Sequence, residues 1–291
     1  MELSAPAKVN LYLKVLFKRP DGYHEIETLF ERVSIFDKLS VEFSKGSSRI
    51  TCDNDDVPTD KGSLMMRVIE AFNARTGVLR DFRVHIEKHI PIAAGLGGGS
   101  SDAAALLLAI NKISGSPLGG NDVFEIASRL GSDIPFFLGG SSFAFGRGRG
   151  EILEEIDVKA RISHILITPP FPVSTKDVYG KVSLSGKAPL GLTKGGAVDK
   201  IFAAFLQDKD TEELAKNLRN DLQDITLRDF PILEKVFFEL KKRGALGVLL
   251  SGSGPTVFGI FKPAQADKAR EELLKVFPEK DNWKVFQVVT V

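Results

Sequence analysis

Apolar and polar residues alternate over 9–17, 25–30 and 39–43, and again over 82–87, where Phe82, Val84 and Ile86 interleave with Arg83, His85 and Glu87. A period of two predicts strands. Between the last two, residues 64–75 carry apolar positions at helical spacing, as do Ala103, Leu106, Leu107 and Ile110 further on. A helix over 122–130 stops at Gly131, and a strand pair over 142–145 and 151–156 turns through Gly146-Arg147-Gly148-Arg149-Gly150. Strands come first and helices follow, which predicts α+β rather than a regularly alternating sheet.

The second half begins with an apolar strand over 162–168, broken by Pro169 and Pro170. Residues 183–196 are rich in Gly, Lys and Ser and read as a loop over a cleft or as a plain linker. Helical patterns cover 198–205, 211–218 and 232–243. Strands over 247–250 and 256–261 then flank Ser251-Gly252-Ser253-Gly254, and a helix over 264–276 and a strand over 284–289 complete a small α/β sandwich. The chain therefore divides, on its pattern, into a domain at 1–157 and another at 158–291.

Length and composition support that division: 291 residues, 43% of them hydrophobic, can bury a sizeable core. Lys and Arg total 39 against 38 Asp and Glu, so no net field recruits nucleic acid or an acidic membrane. The one basic cluster, Lys241-Lys242-Arg243 before Gly244, suits the last turn of a helix and its terminal glycine. Cys52 is the sole cysteine and the four histidines, His24, His85, His89 and His164, are scattered. Neither a disulfide framework nor a zinc motif is expected, and a reducing cytoplasm fits. Residues 1–20 read as neither signal nor transit peptide, and the longest apolar runs, such as that from Ala103 to Ile110, are far too short to span a bilayer.

The strongest chemical signal is Pro91-Ile-Ala-Ala-Gly95-Leu96-Gly97-Gly98-Gly99-Ser100-Ser101, which runs directly into the helix pattern beginning at Asp102. Glycine permits positive φ and close backbone approach, and the first turn of a helix offers unpaired N–H groups and partial positive charge. The junction is a seat for phosphate. Ser100 or Ser101 is expected to cap the helix, with no Glu or Gln three residues later to close a capping box. No Lys-Ser or Lys-Thr pair follows the glycines, so the loop is not a Walker A sequence, and Ser100 stands where a dinucleotide fingerprint has its third glycine.

Three further places carry polar groups on apolar scaffolds. Lys8, Asn10 and Tyr12 share one face of a strand whose other face is Val9, Leu11 and Leu13; they are a functional pair or an exposed, solvating strand edge. Asp133, in Gly131-Ser132-Asp133-Ile134-Pro135-Phe136-Phe137, is either a helix cap or a carboxylate held rigidly for proton transfer or charge pairing. Asp21-Gly22-Tyr23-His24-Glu25 delivers an aromatic ring beside an imidazole, and the Ser251–Gly254 loop is a second anion-sized backbone nest.

In combination these segments resemble the GHMP small-molecule kinases. The loop from Pro91 to Ser101, the strand containing Pro6-Ala7-Lys8-Val9-Asn10 and the late Gly252-Ser253-Gly254 loop look like the three motifs of that family, in order, across nearly the whole chain. Gly22-Tyr23-His24-Glu25-Ile26 and the Asp133 segment narrow the resemblance to the branch whose small-molecule substrate carries a cytidine diphosphate group. The resemblance implies the α+β two-domain GHMP kinase fold: an N-terminal half like the second domain of ribosomal protein S5, a ferredoxin-like C-terminal half, and a site between them. It implies ATP and Mg²⁺, with Pro91 and the stretch Gly95, Leu96, Gly97, Gly98, Gly99, Ser100 and Ser101 around the phosphates. Lys88, Ser63 and Leu64 fall near the adenosine, although the usual family member has Asn where Ser63 stands. Lys8 and Asp133 are the implied catalytic pair. Tyr23, His24 and Tyr179 grip the cytidine, the two tyrosine rings stacking on its base, and Asn10 and Thr175 touch the polar part of the substrate. Ser101 and Asp133 are the candidates to contribute to Mg²⁺, which otherwise leans on the nucleotide phosphates and water. The expected state is a monomer or weak homodimer. A kinase of the same fold acting on homoserine, mevalonate or a sugar is the nearest rival, and Tyr23-His24 and Tyr179 argue against it because those substrates have no base to stack. Lys8 and Asp133 argue against a catalytically silent nucleotide-binding regulator.

Overall fold

A computed structural model describes residues 1–182, 202, 204–208 and 210–291. The loop read at 183–196 and most of the helix read at 198–205 lie outside the described residues. The chain forms two compact units that interleave in sequence: Met1–Ala7, Ile35–Ile92 and Gly97–Gly140 make one, and Lys8–Ser34, Ala93–Leu96 and Ser141–Val291 the other.

Two long strands contribute residues to both units, β1 (Glu2–Lys18) and β2 (His24–Phe43). The alternation at 25–30 and 39–43 predicts two separate strands, with charged residues between them; β2 runs through without a break. Its internal carboxylates are the reason. Glu31 and Asp37 are fully buried yet hydrogen-bonded, and a buried charge is tolerated only when partners replace its water.

In the first unit the strand order is β3 (Arg49–Cys52), β4 (Phe82–Glu87), β2, β1. Residues Lys38 to Phe43 of β2 pair antiparallel with β4, and β3 lies parallel on its other side. The helix α1 (Leu64–Thr76) buries Met65, Val68, Ile69 and Phe72, and α2 (Gly98–Ile113) buries Ala103, Leu106, Leu107 and Ile110. These are the helical spacings visible in the sequence. α3 (Gly120–Leu130) and the short α4 (Ile134–Leu138) follow. The start of α2 departs from expectation. It is capped by Gly97 at φ +70°, so the glycines themselves build its first turn, and Ser100 and Ser101 lie inside the helix and do not cap it.

In the second unit β2 pairs with β5 (Phe143–Arg147), which pairs with β6 (Ile152–Ile156), while β8 (Arg219–Asn220) joins β1 in parallel. A separate four-stranded antiparallel sheet has the order β11 (Lys284–Val289), β7 (Ser163–Thr168), β10 (Val257–Phe261), β9 (Gly247–Leu250). Its connections are made by α5 (Thr175–Gly180), α6 (Thr211–Lys216), α7 (Gln223–Asp229) and α8 (Ile232–Lys242) between β7 and β9, and by α9 (Pro263–Val276) before β11. Sheet order and helix placement are those of a ferredoxin-like fold. Leu233, Val236 and Leu240 of α8 and Ala266, Ala269 and Leu273 of α9 pack on Ile165, Ile167, Val257 and Phe261. At the end of α8 Gly244 has φ +87°, the left-handed stop that its basic last turn predicts. Among the described residues, no helix is long and apolar enough to cross a membrane.

Candidate active site

Lys8 is not on a solvating edge. It is 4% exposed and its backbone N–H donates to the Leu96 carbonyl at 2.9 Å, so the strand is tied to the glycine loop. The alternation of β1 places Lys8, Asn10 and Tyr12 in one row, and a chain of hydrogen bonds fixes that row. Lys8 Nζ donates to Asn10 Oδ1 at 2.7 Å, Asn10 Nδ2 donates to Thr28 Oγ1 at 2.8 Å, and Thr28 Oγ1 donates to the Tyr12 carbonyl at 2.8 Å. Thr28 thereby fixes which end of the Asn10 amide faces the lysine. The Lys8 ammonium also sits 5.6 Å from the centroid of the Phe30 ring.

The second nest of glycines closes on the same residues. A Cβ at Gly252 would lie 3.4 Å from Asn10 Oδ1 and 3.5 Å from Lys8 Nζ. Gly95, at φ +76°, is needed for a different reason than phosphate contact: its Cβ would fall 2.1 Å from the Ser251 carbonyl oxygen. Ser251 Oγ seals this junction by donating to the Gly95 carbonyl at 2.9 Å. Thr175 Oγ1 lies 2.8 Å from Ser253 Oγ, which ties the start of α5 to the same loop.

Around the turn after β1, Glu25 accepts from Arg19 Nη1 at 2.6 Å and from the Gly148 N–H at 3.1 Å, and Asp21 accepts from the Tyr23 N–H at 3.1 Å. This frame holds Tyr23 and His24. The Tyr23 ring is 55% exposed, with the Arg149 guanidinium 4.9 Å above it. The His24 ring lies 5.3 Å from that of Tyr179 at 32°. Burial, reinforced by Lys18, holds the His24 imidazole below its ordinary range and so favours its uncharged form. An imidazole against a phenol ring suits an uncharged heterocycle.

In the first unit, Gly98 and Gly99 open α2 with different surroundings. A Cβ at Gly98 would meet Ile90 Cγ2 at 2.9 Å and Lys88 Nζ at 3.3 Å, whereas one at Gly99 would meet no described atom within 4 Å. Gly98 is thus required by packing, and Gly99 is open to approach from outside. Beneath this turn the Lys88 ammonium is buried between two carboxylates, bonded to Asp37 Oδ2 and, at 2.9 Å, to Asp102 Oδ2. Asp37 Oδ1 also accepts from the N–H groups of His89 at 2.6 Å and Ile90 at 2.8 Å. Burial works against the Lys88 charge, but Asp102 and Asp37 outweigh it and hold its pKa above the ordinary value. Burial pushes the Asp102 carboxyl up to about 7, with Lys88 opposing and Asp37 adding to the shift. Ser63 is 3% exposed and caps α1, accepting from the Met66 N–H at 3.3 Å. Asp133 is half-buried at the cap position of α4, in αR backbone conformation.

Residues 63–141 match the GHMP kinases N terminal domain family and residues 201–279 the GHMP kinases C terminal family. Over 93% of its length the chain is 38% identical to a 4-diphosphocytidyl-2-C-methyl-D-erythritol kinase of Geobacter metallireducens, covering 92% of that protein. It is 39% identical to the kinase of the same name from a Synechococcus species, with 97% and 92% of the two chains covered. The chain belongs to the 4-diphosphocytidyl-2-C-methyl-D-erythritol kinases, within the GHMP kinases. A crystal structure of a 4-(cytidine 5'-diphospho)-2C-methyl-D-erythritol kinase superposes with a TM-score of 0.77 at 34% identity, all of both chains covered. Homoserine kinase from Cytophaga hutchinsonii shares the fold at TM-score 0.74 and 20% identity, covering 100% and 94% of the chains.

This GHMP kinase therefore has the two-domain fold that its motifs imply, including the ferredoxin-like sheet, and it is a small-molecule kinase. Sequence reasoning missed the residues that fix the motif side chains: Thr28 behind Asn10, Glu25 behind the Tyr23-His24 turn, and Asp37 and Asp102 around Lys88. Asp102 was legible only as the residue that opens the helix pattern, and Asp37 only as a charge between two strand patterns. Neither signal says that two carboxylates will meet one lysine.

The raised Asp102 pKa has a direct consequence for the kinase. An unfolded carboxyl of this type titrates at 3.8, so between there and about 7 the folded protein holds a proton that the unfolded chain has released. Stability should fall as pH rises through that window, by up to about 1.4 kcal/mol per pH unit. Thermal unfolding followed from pH 5 to pH 7.5 should show this decline in the wild type and a flatter profile in Asp102→Asn. Equal slopes would refute it.

Proposed function

We propose that the protein transfers the γ-phosphoryl group of ATP to the 2-hydroxyl of 4-diphosphocytidyl-2-C-methyl-D-erythritol, a step in the non-mevalonate route to isoprenoid precursors. The observation that carries this reading is the pairing, in one compact unit, of a fixed ammonium on Asn10 with the His24 imidazole against the Tyr179 ring. The first suits the charge of a phosphoryl group in transfer and the second a nucleobase.

In this reading residues 1–157 form the ATP-binding domain and residues 158–291 the substrate-binding C-terminal domain. Asp133 takes the proton of the acceptor hydroxyl as its oxygen forms the new bond to Pγ, and the bond from Pγ to the β,γ-bridging oxygen breaks to release ADP. Lys8 offsets the negative charge that spreads over the transferring oxygens. Asn10 holds Lys8 and, with Thr175, meets the polar part of the acceptor, while Tyr23, His24 and Tyr179 grip its cytosine. The unpaired N–H groups at the start of α2, with Pro91, Leu96, Ser100 and Ser101, receive the ATP phosphates. Gly99 supports that role, because its open Cα face leaves room for a phosphate oxygen. Gly95 and Gly98 serve the loop's own packing.

Ser63, Leu64 and Lys88 lie near the adenosine in this reading. The Lys88 ammonium is already engaged by two carboxylates, and the Ser63 hydroxyl caps α1. Both would support the adenosine site indirectly, Ser63 by capping α1 and Lys88 by joining Asp37 to Asp102. Among the described residues no group of three or more His, Cys, Asp or Glu forms a metal cage. That fits Mg²⁺ held chiefly by ATP phosphates and water, with Ser101 and Asp133 as the side chains that would contribute. When bound, Mg²⁺ neutralises phosphate charge. The enzyme works in the cytoplasm as a monomer or weak homodimer.

Three outcomes test the assignment. Lys8→Met and Asp133→Asn should each lower kcat by on the order of 10²-fold or more with little change in ATP affinity; near-normal turnover at saturating substrates would remove either residue from its role. Gly99→Ala should keep wild-type thermal stability yet weaken ATP binding in calorimetric titration, whereas Gly95→Ala should unfold at lower temperature, since its Cβ has no space. Tyr179→Ala should raise the KM for the cytidine substrate, in line with roughly 1 to 3 kcal/mol per stacked base, and leave the KM for ATP unaltered. Equal wild-type activity on methylerythritol 4-phosphate, or turnover only with homoserine or mevalonate, would overturn the choice of acceptor.

A further inference from the structure

Asn220 lies on β8, opposite Leu13 of β1, and is buried. Both ends of its amide are in use. Nδ2 donates to the carbonyls of Leu250 at 2.8 Å and Gly252 at 2.7 Å, and Oδ1 accepts from the Leu222 N–H at 2.9 Å. Thr226 Oγ1 adds a donation to the Ser253 carbonyl at 3.1 Å. One buried side chain thus spans the entry to the Ser251–Gly254 loop and its first glycine, and a second holds the next carbonyl.

The loop needs such a clamp. Gly252 and Gly254 stand at φ +57° and +85°, and glycine on both sides of Ser253 makes the intervening peptides free to rotate. A peptide unit is planar and trans, so an N–H points opposite to the carbonyl that precedes it. Fixing the Gly252 carbonyl toward Asn220 therefore fixes the Ser253 N–H in the opposite direction. The Gly252 Cα borders the reacting groups, since a Cβ there would lie 3.5 Å from Lys8 Nζ. These bonds of Asn220 go to the loop and to Leu222, not to Lys8 or Asn10.

We propose that Asn220 is a positioning residue for phosphoryl transfer: by holding the Gly252 carbonyl it sets the peptide that borders Lys8 and aims the Ser253 N–H. The proposal rests on the kinase reading above. It implies a loss in turnover that is not a loss of ATP binding, because the bonds of Asn220 go to the segment around Gly252 and to Leu222 and not to the helix start read as the nucleotide seat.

Asn220→Asp keeps the shape and the bond to Leu222 but sets a carboxylate against two carbonyl oxygens. At pH 8 its kcat should be at least about tenfold below wild type, with the ATP dissociation constant, titrated without acceptor, within about threefold. Lowering the pH toward 6 should recover part of the loss relative to wild type, because burial beside two carbonyls raises the pKa of the introduced carboxyl and its protonated form again donates a hydrogen bond. A purely structural role gives parallel losses of kcat and ATP binding and no recovery. Thr226→Val, which removes the hydroxyl that bonds the Ser253 and Leu222 carbonyls, should lower kcat about threefold. It decides the matter if Asn220→Asp does not fold. Folded variants with kcat within twofold of wild type would overturn the proposal. A wild type that transfers nothing to the cytidine diphosphate ester would instead overturn the functional reading. Hydrogen exchange then judges Asn220: faster exchange at residues 252–254 in Asn220→Asp supports the clamp, and unchanged exchange refutes it.

Discussion

A side chain at Gly95 would place its Cβ 2.1 Å from the Ser251 carbonyl oxygen, so the two glycine-bearing loops of the second unit meet only because that position has none. From this contact the rest of the site is set. Ser251 bonds back to Gly95, Gly252 comes to rest against Asn10 and Lys8, and Lys8 takes its backbone bond from the residue after Gly95. The strand bearing the lysine, the loop before α2 and the loop after β9 are thereby held by close backbone approach together with buried side-chain hydrogen bonds. A phosphoryl-transfer enzyme gains from such rigidity, because its catalysis is mainly alignment and fixed charge.

Several buried polar groups are handled in the same spirit. Glu31 is bonded to His164 at 3.0 Å and Thr290 at 2.5 Å, Asp37 to Lys88 and two backbone N–H groups, and Asn220 to three backbone groups. Each satisfied group ties together segments far apart in sequence, and each would cost a large desolvation penalty if its partner were lost. The continuity of β2 depends on two of them. They make the sheet specific as well as stable, since no other register supplies the same partners.

The glycines of the phosphate loop divide by task in a way their common letter conceals. Gly95 permits loop to meet loop, Gly97 turns the chain into α2 from a left-handed conformation, Gly98 packs on Ile90 and Lys88, and Gly99 faces open space. In the sequence the cluster reads as one anion seat. Which glycine serves the ligand and which serves the fold depends on neighbours from distant segments.

Local periodicity was enough to place the strand at 82–87, the last strand at 284–289 and the buried faces of α1 and α2, because each pattern matches a repeat set by backbone geometry alone. The order of the motifs likewise identified the family, and through it the fold. Short elements such as β3, β8 and α5 escaped, since a few residues contain too little of any period to be read. What tertiary structure alone decided is which polar side chains face one another: Thr28 behind Asn10, two aspartates on Lys88, Asn220 on the Gly252 carbonyl. Sequence records the donors and acceptors of each residue, but a hydrogen bond forms only between groups within about 3 Å. That proximity comes from packing strands and helices whose residues lie tens to hundreds of positions apart.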